Sequence, residues 1–255
     1  MLEQILESVR ARLGDVVRDE EEWRAAAADA LPVRDFVGAL TTPGLSVIAE
    51  VKRRSPSAGP IDVDLDPAEL ASSYAVGGAA AVSVLTEADH FGALPGDLPA
   101  VRSAIGIPVL RKDFILEEAQ VWQSRAMGAD AVLLIVAILD DATLARLLAT
   151  AAAAGLASLV EVHTAGEAGR ATDAGAGIIG VNNRDLSTFG VDLGTAERIR
   201  PLLGSGVVAV AESGVSSVEG AGRMAAAGYN AVLVGAAAVR SGDPAGFVAS
   251  LRGAA

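Results

Sequence analysis

Eight runs rich in Val, Ile, Leu and Ala recur along the chain: SVIAEVK, AAVSVLT, PVLRKDF, AVLLIVA, SLVEVH, GIIGVNN, VVAVAES and AVLVGAA. A continuous apolar run of this kind suits a strand buried on both faces, as in a parallel sheet covered by helices. The longer segments between the runs carry helical spacing and helix-start signals. Asp66 before Pro67 reads as a cap with proline at the first helical position, and Ser216 with Glu219 fits a capping box. Strands that alternate with helices form βαβ units. Eight such units at this length are expected to close into an α/β fold, a single (β/α)8 TIM barrel, in preference to an open doubly wound sheet.

A length of 255 residues with 51% hydrophobic content supports one large core, so residues 1–255 are expected to form one domain. Residues 1–45 precede the first run and read as an N-terminal helical extension of two or three short helices; residues 46–255 form the barrel. Leu2, Ile5, Leu6, Val9 and Leu13 fall on one stripe, which is expected to cover the bottom or the side of the barrel. The Ala-rich stretches AAAADA and ATAAAAG read as helix filling.

Composition removes several kinds of chemistry. The chain has no cysteine, which excludes disulfides, thiolate nucleophiles and Cys-ligated zinc, and two histidines are too few for most His-rich metal centres, so no metal is expected. A net charge of −12 argues against nucleic acid or an anionic membrane surface as partner and favours a small molecule. The N-terminal MLEQILESVR is acidic and amphipathic, unlike a secretory signal. The longest apolar run, Ala131 to Leu139, is too short to cross about 30 Å of hydrocarbon as a helix. A cytoplasmic location is the expectation.

Barrel enzymes place their chemistry at the C-terminal ends of the strands, so the polar residues ending each run are the informative ones. They are Glu50 and Lys52 after the first run, Arg111, Lys112 and Asp113 after the third, Glu161 in the fifth, Asn182, Asn183 and Arg184 after the sixth, and Glu212 and Ser213 after the seventh. Both lysines of the chain, set against 18 arginines, fall in this set. A chain so biased toward arginine can carry a surface cation as arginine, whereas a proton donor needs an amine, whose pKa burial can lower. Lys52 and Lys112 are therefore candidate acids. Glu50, Glu161 and Glu212 interrupt apolar strands, where an unpaired carboxylate costs several kcal/mol, so each is expected to meet a partner such as a lysine. Any one of these glutamates alone also fits a structural ion pair; as a set they read as an acid/base apparatus.

Ser213-Gly214 and Gly235-Ala236 follow the seventh and eighth runs, the usual place in such barrels for backbone N–H groups to hold a phosphate. The loop RRSPSAG after the first run brings Arg53, Arg54, Ser55 and Ser57 near, and is expected to close over a ligand as a mobile lid. His163 and His90 have no companions at ligand spacing and read as non-catalytic.

The motifs VIAEVKRRSPSAG, AVSVLTE, PVLRKDFIL, ADAVLLIVAIL, LVEVHT, IIGVNNRDL, VAESGV and AVLVG, in this order, resemble the indole-3-glycerol phosphate synthase family from about Leu45 to Arg240. The resemblance implies a carboxy-lyase of tryptophan biosynthesis that needs no cofactor and acts on a sugar phosphate. Ring closure, decarboxylation and dehydration of 1-(2-carboxyphenylamino)-1-deoxy-D-ribulose 5-phosphate would give indole-3-glycerol phosphate. It also implies roles. Lys112 would protonate the sugar carbonyl, Glu161 would transfer a proton in the dehydration, and Lys52 would hold the substrate carboxylate or act as a second acid. Glu50 would tune the lysines, while Asn182, Arg184, Glu212 and Ser213 would contact the anilino and sugar groups. Decarboxylation is helped when the carboxylate leaves a cationic contact for an apolar pocket, which Phe114, Leu133 and Leu233 would supply, although core packing explains them equally well. Ser55, Ser57, Gly214, Gly235 and Ala236 complete the binding set. A monomer is expected, association with other enzymes of the pathway staying open.

In two places the chain departs from the family pattern. Ala93 and Leu94 stand in EADHFGALPGDL where Gly-Ser is usual, and Ala236 stands where Ser or Glu is common, removing a side-chain contact to phosphate but keeping the backbone donors. Among other readings, a phosphoribosylanthranilate isomerase is opposed by the lack of cysteine. A non-catalytic binding paralogue is opposed by intact Lys112 and Glu161.

Overall fold

The eight apolar runs become eight parallel strands in a computed structural model that describes residues 2–57, 59–185 and 188–254. They are β1 (Ser46–Val51), β2 (Ala81–Leu85), β3 (Val109–Lys112), β4 (Ala131–Ile135), β5 (Ala157–Val162), β6 (Ile178–Asn182), β7 (Val208–Glu212) and β8 (Ala231–Val234). Each pairs with its successor and β8 pairs with β1, closing a TIM barrel wrapped by helices. Ala58 of the loop after β1 and Leu186 of the Asn-Asn-Arg-Asp-Leu motif lie outside the described residues.

Successive side chains in a strand point to opposite faces, so parity sorts each run into an inner and an outer set. Val47, Ala49 and Val51, Val160 and Val162, and Ala209 and Ala211 face the helices and join the larger apolar core. Ile48, Leu110, Leu159, Ile178, Val210 and Leu233 fill the barrel interior. The same parity carries Glu50, Lys112, Glu161 and Glu212 inward, each two residues beyond an interior apolar residue.

The extension is divided among three places. Helix α3 (Phe36–Leu40), capped by Asp35, which accepts from the Gly38 N–H, sends fully buried Phe36 and Leu40 into the interior cluster as a plug at the bottom. Helix α2 (Glu20–Asp29) packs on the side, with the Arg24 guanidinium 4.5 Å from the Trp122 ring centre. Between them Asp130 accepts from Arg102, from the Val109 N–H and from the Arg34 N–H, tying the chain before α3 to the barrel.

Helix α1 (Leu2–Arg18) departs from the expected placement. It runs at the opposite, upper end of the barrel, where Arg12 pairs with Glu87 and Asp89 and Ser8 Oγ lies 3.2 Å from His90 Nε2. Its stripe needs an apolar surface, and the barrel mouth supplies one: Leu2 and Ile5 line the cavity there. The Asp66 cap forms as expected, accepting from the Ala68 and Glu69 N–H groups. The second cap shifts by one residue. Ser217, not Ser216, accepts from the Gly220 N–H, which puts Glu219 one position too early in the helix to close a capping box.

The plug gives a direct test. Phe36→Ala opens a void at the bottom of the barrel and is expected to lower unfolding free energy by about 3–5 kcal/mol in urea denaturation. A change below about 1 kcal/mol would mean that α3 does not pack into the interior.

Candidate active site

A cavity of about 480 Å³ opens at the C-terminal ends of the strands. Its floor is ionic. The Lys112 ammonium lies 3.1 Å from Glu212 Oε2 and 3.4 Å from Glu50 Oε2, while Lys52 pairs with Glu50 Oε1. Tyr74, buried in the helix after β1, donates to the Glu50 carbonyl at 3.2 Å and braces the strand at that point. Glu50 and Glu161 line the cavity, and Glu212 lies beneath it with no exposed surface.

Burial alone would lower the Lys112 pKa, as the sequence suggested. The carboxylates of Glu212, Glu50 and Glu161 outweigh it and hold the amine well above its ordinary value. Burial likewise pushes the Glu50 carboxyl up, and the ammonium groups of Lys52 and Lys112 outweigh it to hold that carboxyl low. Glu161 and Glu212 are neighbouring buried carboxyl groups, so the charge of each acts on the titration of the other. Burial and the Glu161 charge push the Glu212 carboxyl up. Glu161 is also opposed by burial, but the adjoining His163 and the Lys112 charge hold it down. Of the two, Glu161 is the more readily ionised.

Glu161 was expected to meet a lysine; its nearest cation is instead His163, with Nε2 3.2 Å from Glu161 Oε1. Lys112 acts on it from further away. The 3.2 Å contact is an ion pair without the alignment of a hydrogen bond.

Above the floor the cavity divides. On one side Phe114 and Phe91, ring centres 6.3 Å apart and tilted by 40°, form an apolar compartment with Leu133, Leu233, Leu2 and Ile5. On the other, Ser213 and Gly214 turn the chain after β7 in the left-handed region, with φ of 62° and 86°. A side chain at Gly214 would collide with Val191, so the turn packs directly on the loop after β6. Gly235 and Ala236 face the same space from the end of β8. A Cβ on Gly235 would collide with Glu50, so the bare backbone there makes room for the carboxylate.

Asn182 and Arg184 line the wall between these parts. Asn182 Oδ1 accepts the Arg184 N–H at 3.0 Å, and the Arg184 guanidinium is held by the Phe189 carbonyl at 3.0 Å. The loop after β1 folds as a ribbon in which Arg54–Ser55 pairs with Gly59–Pro60, presenting Ser55 and Ser57 to the cavity.

Parity also removes residues from the site. Arg111, next to inward Lys112, points toward the helices and binds Thr86, Asp113, Gln123 and Ser124. Asn183, next to Asn182, binds the Glu212 and Ser213 carbonyls and the Ala196 N–H. Arg53 is spent on a buried pair with Asp97. Ala93 is buried and Leu94 exposed, and neither lines the cavity.

Sequence reasoning missed Gly180. It faces inward beside Glu161 and Val210, and a Cβ there would occupy the position of Glu212 Oε1. A glycine inside a strand run often marks such a close approach, and that signal was present in GIIGVNN. Phe91, Phe189 and Val191 were also missed; they enter the cavity through the path of their loops, which periodicity does not report.

Residues 2–251 match the family model described as indole-3-glycerol phosphate synthase. The chain is 51% identical over 237 residues to "Indole-3-glycerol phosphate synthase 2" of Streptomyces coelicolor, covering 93% of this chain and 92% of that protein. It is 52% identical over 254 residues to an indole-3-glycerol phosphate synthase of Parafrankia sp., covering 98% and 94%. The same name belongs to a Mycobacterium avium protein 49% identical over 253 residues, covering 98% and 93%. Among solved structures, a 3-hexulose-6-phosphate synthase superposes with a TM-score of 0.65 at 20% identity, covering 82% of this chain and 99% of that one. Thiamine phosphate pyrophosphorylase from Pyrococcus furiosus gives 0.63 at 18%, covering 82% and 95%. These two share the fold.

Gly180→Ala tests the packing of the floor. The added methyl displaces Glu212 from Lys112, and turnover of the substrate of these relatives is expected to fall by about 10²-fold or more, as for misplacement near a reacting centre. Wild-type turnover in Gly180→Ala would show that Glu212 can move without consequence.

Proposed function

The chain belongs to the indole-3-glycerol phosphate synthase family, and from that membership we propose how its barrel mouth performs the reaction. The chain is a carboxy-lyase of tryptophan biosynthesis: it closes the ring of 1-(2-carboxyphenylamino)-1-deoxy-D-ribulose 5-phosphate, expels carbon dioxide and then water, and yields indole-3-glycerol phosphate. The observation that carries the assignment of roles is a charged ammonium, Lys112, at the meeting point of an apolar aromatic compartment and a polar rim within one cavity.

The anilino ring occupies the compartment of Phe114, Leu133 and Leu233, roofed by Phe91, Leu2 and Ile5. The phosphate takes backbone N–H groups of Gly214, Gly235 and Ala236, with Ser55 and Ser57 beside them. This leaves the sugar ketone over the floor. The aromatic carbon that bears the carboxylate attacks the ketone carbon while Lys112 protonates the ketone oxygen. Loss of carbon dioxide then returns its bonding pair to the ring. Lys52 holds the carboxylate before it leaves, and decarboxylation is helped as that group passes from a cationic contact toward an apolar pocket. In the dehydration Lys52, free once the carboxylate has left, protonates the departing hydroxyl so that it leaves as water, while Glu161, the ionised carboxylate, takes the proton from the neighbouring carbon, whose C–H pair forms the new double bond. Glu50 and Glu212 keep Lys112 charged, and Asn182, Arg184 and Ser213 orient the anilino and sugar groups.

The family match across residues 2–251, together with the insertion of α3 into the barrel interior, supports reading residues 1–255 as one domain. Among the described residues no helix is long and apolar enough to cross a membrane. The biosynthetic family supports a cytoplasmic location and a small sugar phosphate as partner.

Indole fluorescence after mixing purified protein with the carboxyphenylamino deoxyribulose phosphate tests the reading. Lys112→Met is expected to lose about 10²–10⁴-fold in kcat, the range for a missing general acid, and Glu161→Gln to be slowed as well. A folded wild-type protein that binds the substrate without turnover would overturn it.

A further inference from the structure

His163 lies in the fifth strand-end motif but does not line the cavity, so it does not touch a substrate held there. It is nevertheless the nearest cation to Glu161, and its own position is fixed with unusual completeness. The imidazole has Nε2 3.2 Å from Glu161 Oε1 and Nδ1 3.2 Å from Glu167 Oε2, and its side chain is 9% exposed. The same Glu167 oxygen accepts the His163 backbone N–H at 2.8 Å. Glu167 is in turn held at the start of the helix Ala165–Asp173, where its own N–H donates to the capping Thr164 hydroxyl at 3.1 Å. A continuous chain thus runs from a helix start through Glu167 and His163 to Glu161.

We propose that His163, clamped by Glu167, is a positioning residue for the reaction: it fixes the orientation of the Glu161 carboxylate and keeps it the proton-accepting member of the Glu161–Glu212 pair. The inference rests on the reading that Glu161 moves a proton in the dehydration. An oriented base depends on a third group that holds it, and the loss of that group falls on the chemical step, not on binding. The charge fits the task. Burial opposes protonation of His163, but Glu161 and Glu167 outweigh it and raise its pKa to about 10, so a cation faces Glu161 at neutral pH. Asn182, on the adjacent strand, also favours the ionised form of Glu161. Without His163, burial and the nearby Glu212 both act to protonate Glu161 and remove the base.

The experiment compares steady-state kinetics of His163→Leu, His163→Gln, Glu161→Gln and the Glu161→Gln/His163→Leu pair in the intact protein, with thermal unfolding alongside. His163→Leu is expected to lower kcat by about 10–100-fold, the effect of removing a group that orients a functional side chain, with KM little changed. His163→Gln, whose amide N–H reaches the place of Nε2, recovers most of kcat. The double variant is no slower than Glu161→Gln alone, because both changes disable one unit. Wild-type kcat in His163→Leu beside a slow Glu161→Gln overturns the positioning role and leaves Glu161 standing. Full activity in Glu161→Gln overturns the role of Glu161, and this inference with it. Loss in His163→Leu that raises KM in parallel and that glutamine does not rescue assigns His163 to packing. If His163→Leu does not fold, Glu167→Gln reads the same chain: lower kcat at unchanged KM supports it, and unchanged kcat overturns it.

Discussion

Three glutamates forced by strand parity into the interior of a barrel set the terms for everything around them. A buried carboxylate without a partner costs several kcal/mol, and these three lie on β1, β5 and β7 within one small volume. The fold answers with two ammonium groups and one imidazole. Lys112 lies between Glu50 and Glu212, Lys52 pairs with Glu50, and His163 lies against Glu161. With His163 charged, three cations face the three carboxyl groups. Room for the arrangement comes from two missing side chains, at Gly180 and Gly235, where a Cβ would strike a carboxylate. Balanced ionic floor and bare backbone are one design.

The same parity explains why the cavity is two-sided. Residues that would crowd the floor, Arg111 and Asn183, are turned toward the helices and spent on strand ends. The extension then contributes at both ends of the barrel. Its α3 closes the bottom with fully buried apolar groups, whereas α1 roofs the mouth through Leu2 and Ile5. Both attachments bury apolar residues, Ile5, Leu6 and Val9 on α1 and Phe36 and Leu40 on α3. Burying Phe36 and Leu40 contributes about 1.5–3 kcal/mol each, while exposed ion pairs such as Arg12 with Asp89 contribute roughly 0–1 kcal/mol.

Much of this was legible in the residues themselves. Continuous apolar runs located all eight strands, and polar residues at their ends located the floor, because a charge interrupting such a run must be held by something nearby. What was hidden depended on the path of the chain between strands. The stripe of α1 was evident, but not the surface it covers, and Phe91 and Phe189 enter the cavity through loop geometry. The cap was misread by one residue because two adjacent serines, Ser216 and Ser217, offer the same side chain and only the path of the loop decides which of them accepts from the Gly220 N–H. The direction of the lysine shift was also misjudged. Burial was visible in the sequence, whereas the convergence of three carboxylates on one amine becomes visible only when the barrel closes.

Lysine-selective isotope labelling offers a clean view of that convergence, since the chain has only Lys52 and Lys112 and both lie in the cavity. The side-chain nitrogen signal of Lys112, followed by NMR as pH rises, is predicted to remain that of an ammonium beyond the ordinary lysine range, and to titrate earlier once Glu212→Gln or Glu50→Gln removes one of the carboxylates. A Lys112 signal already neutral near pH 7, or one unmoved by either substitution, would contradict the account.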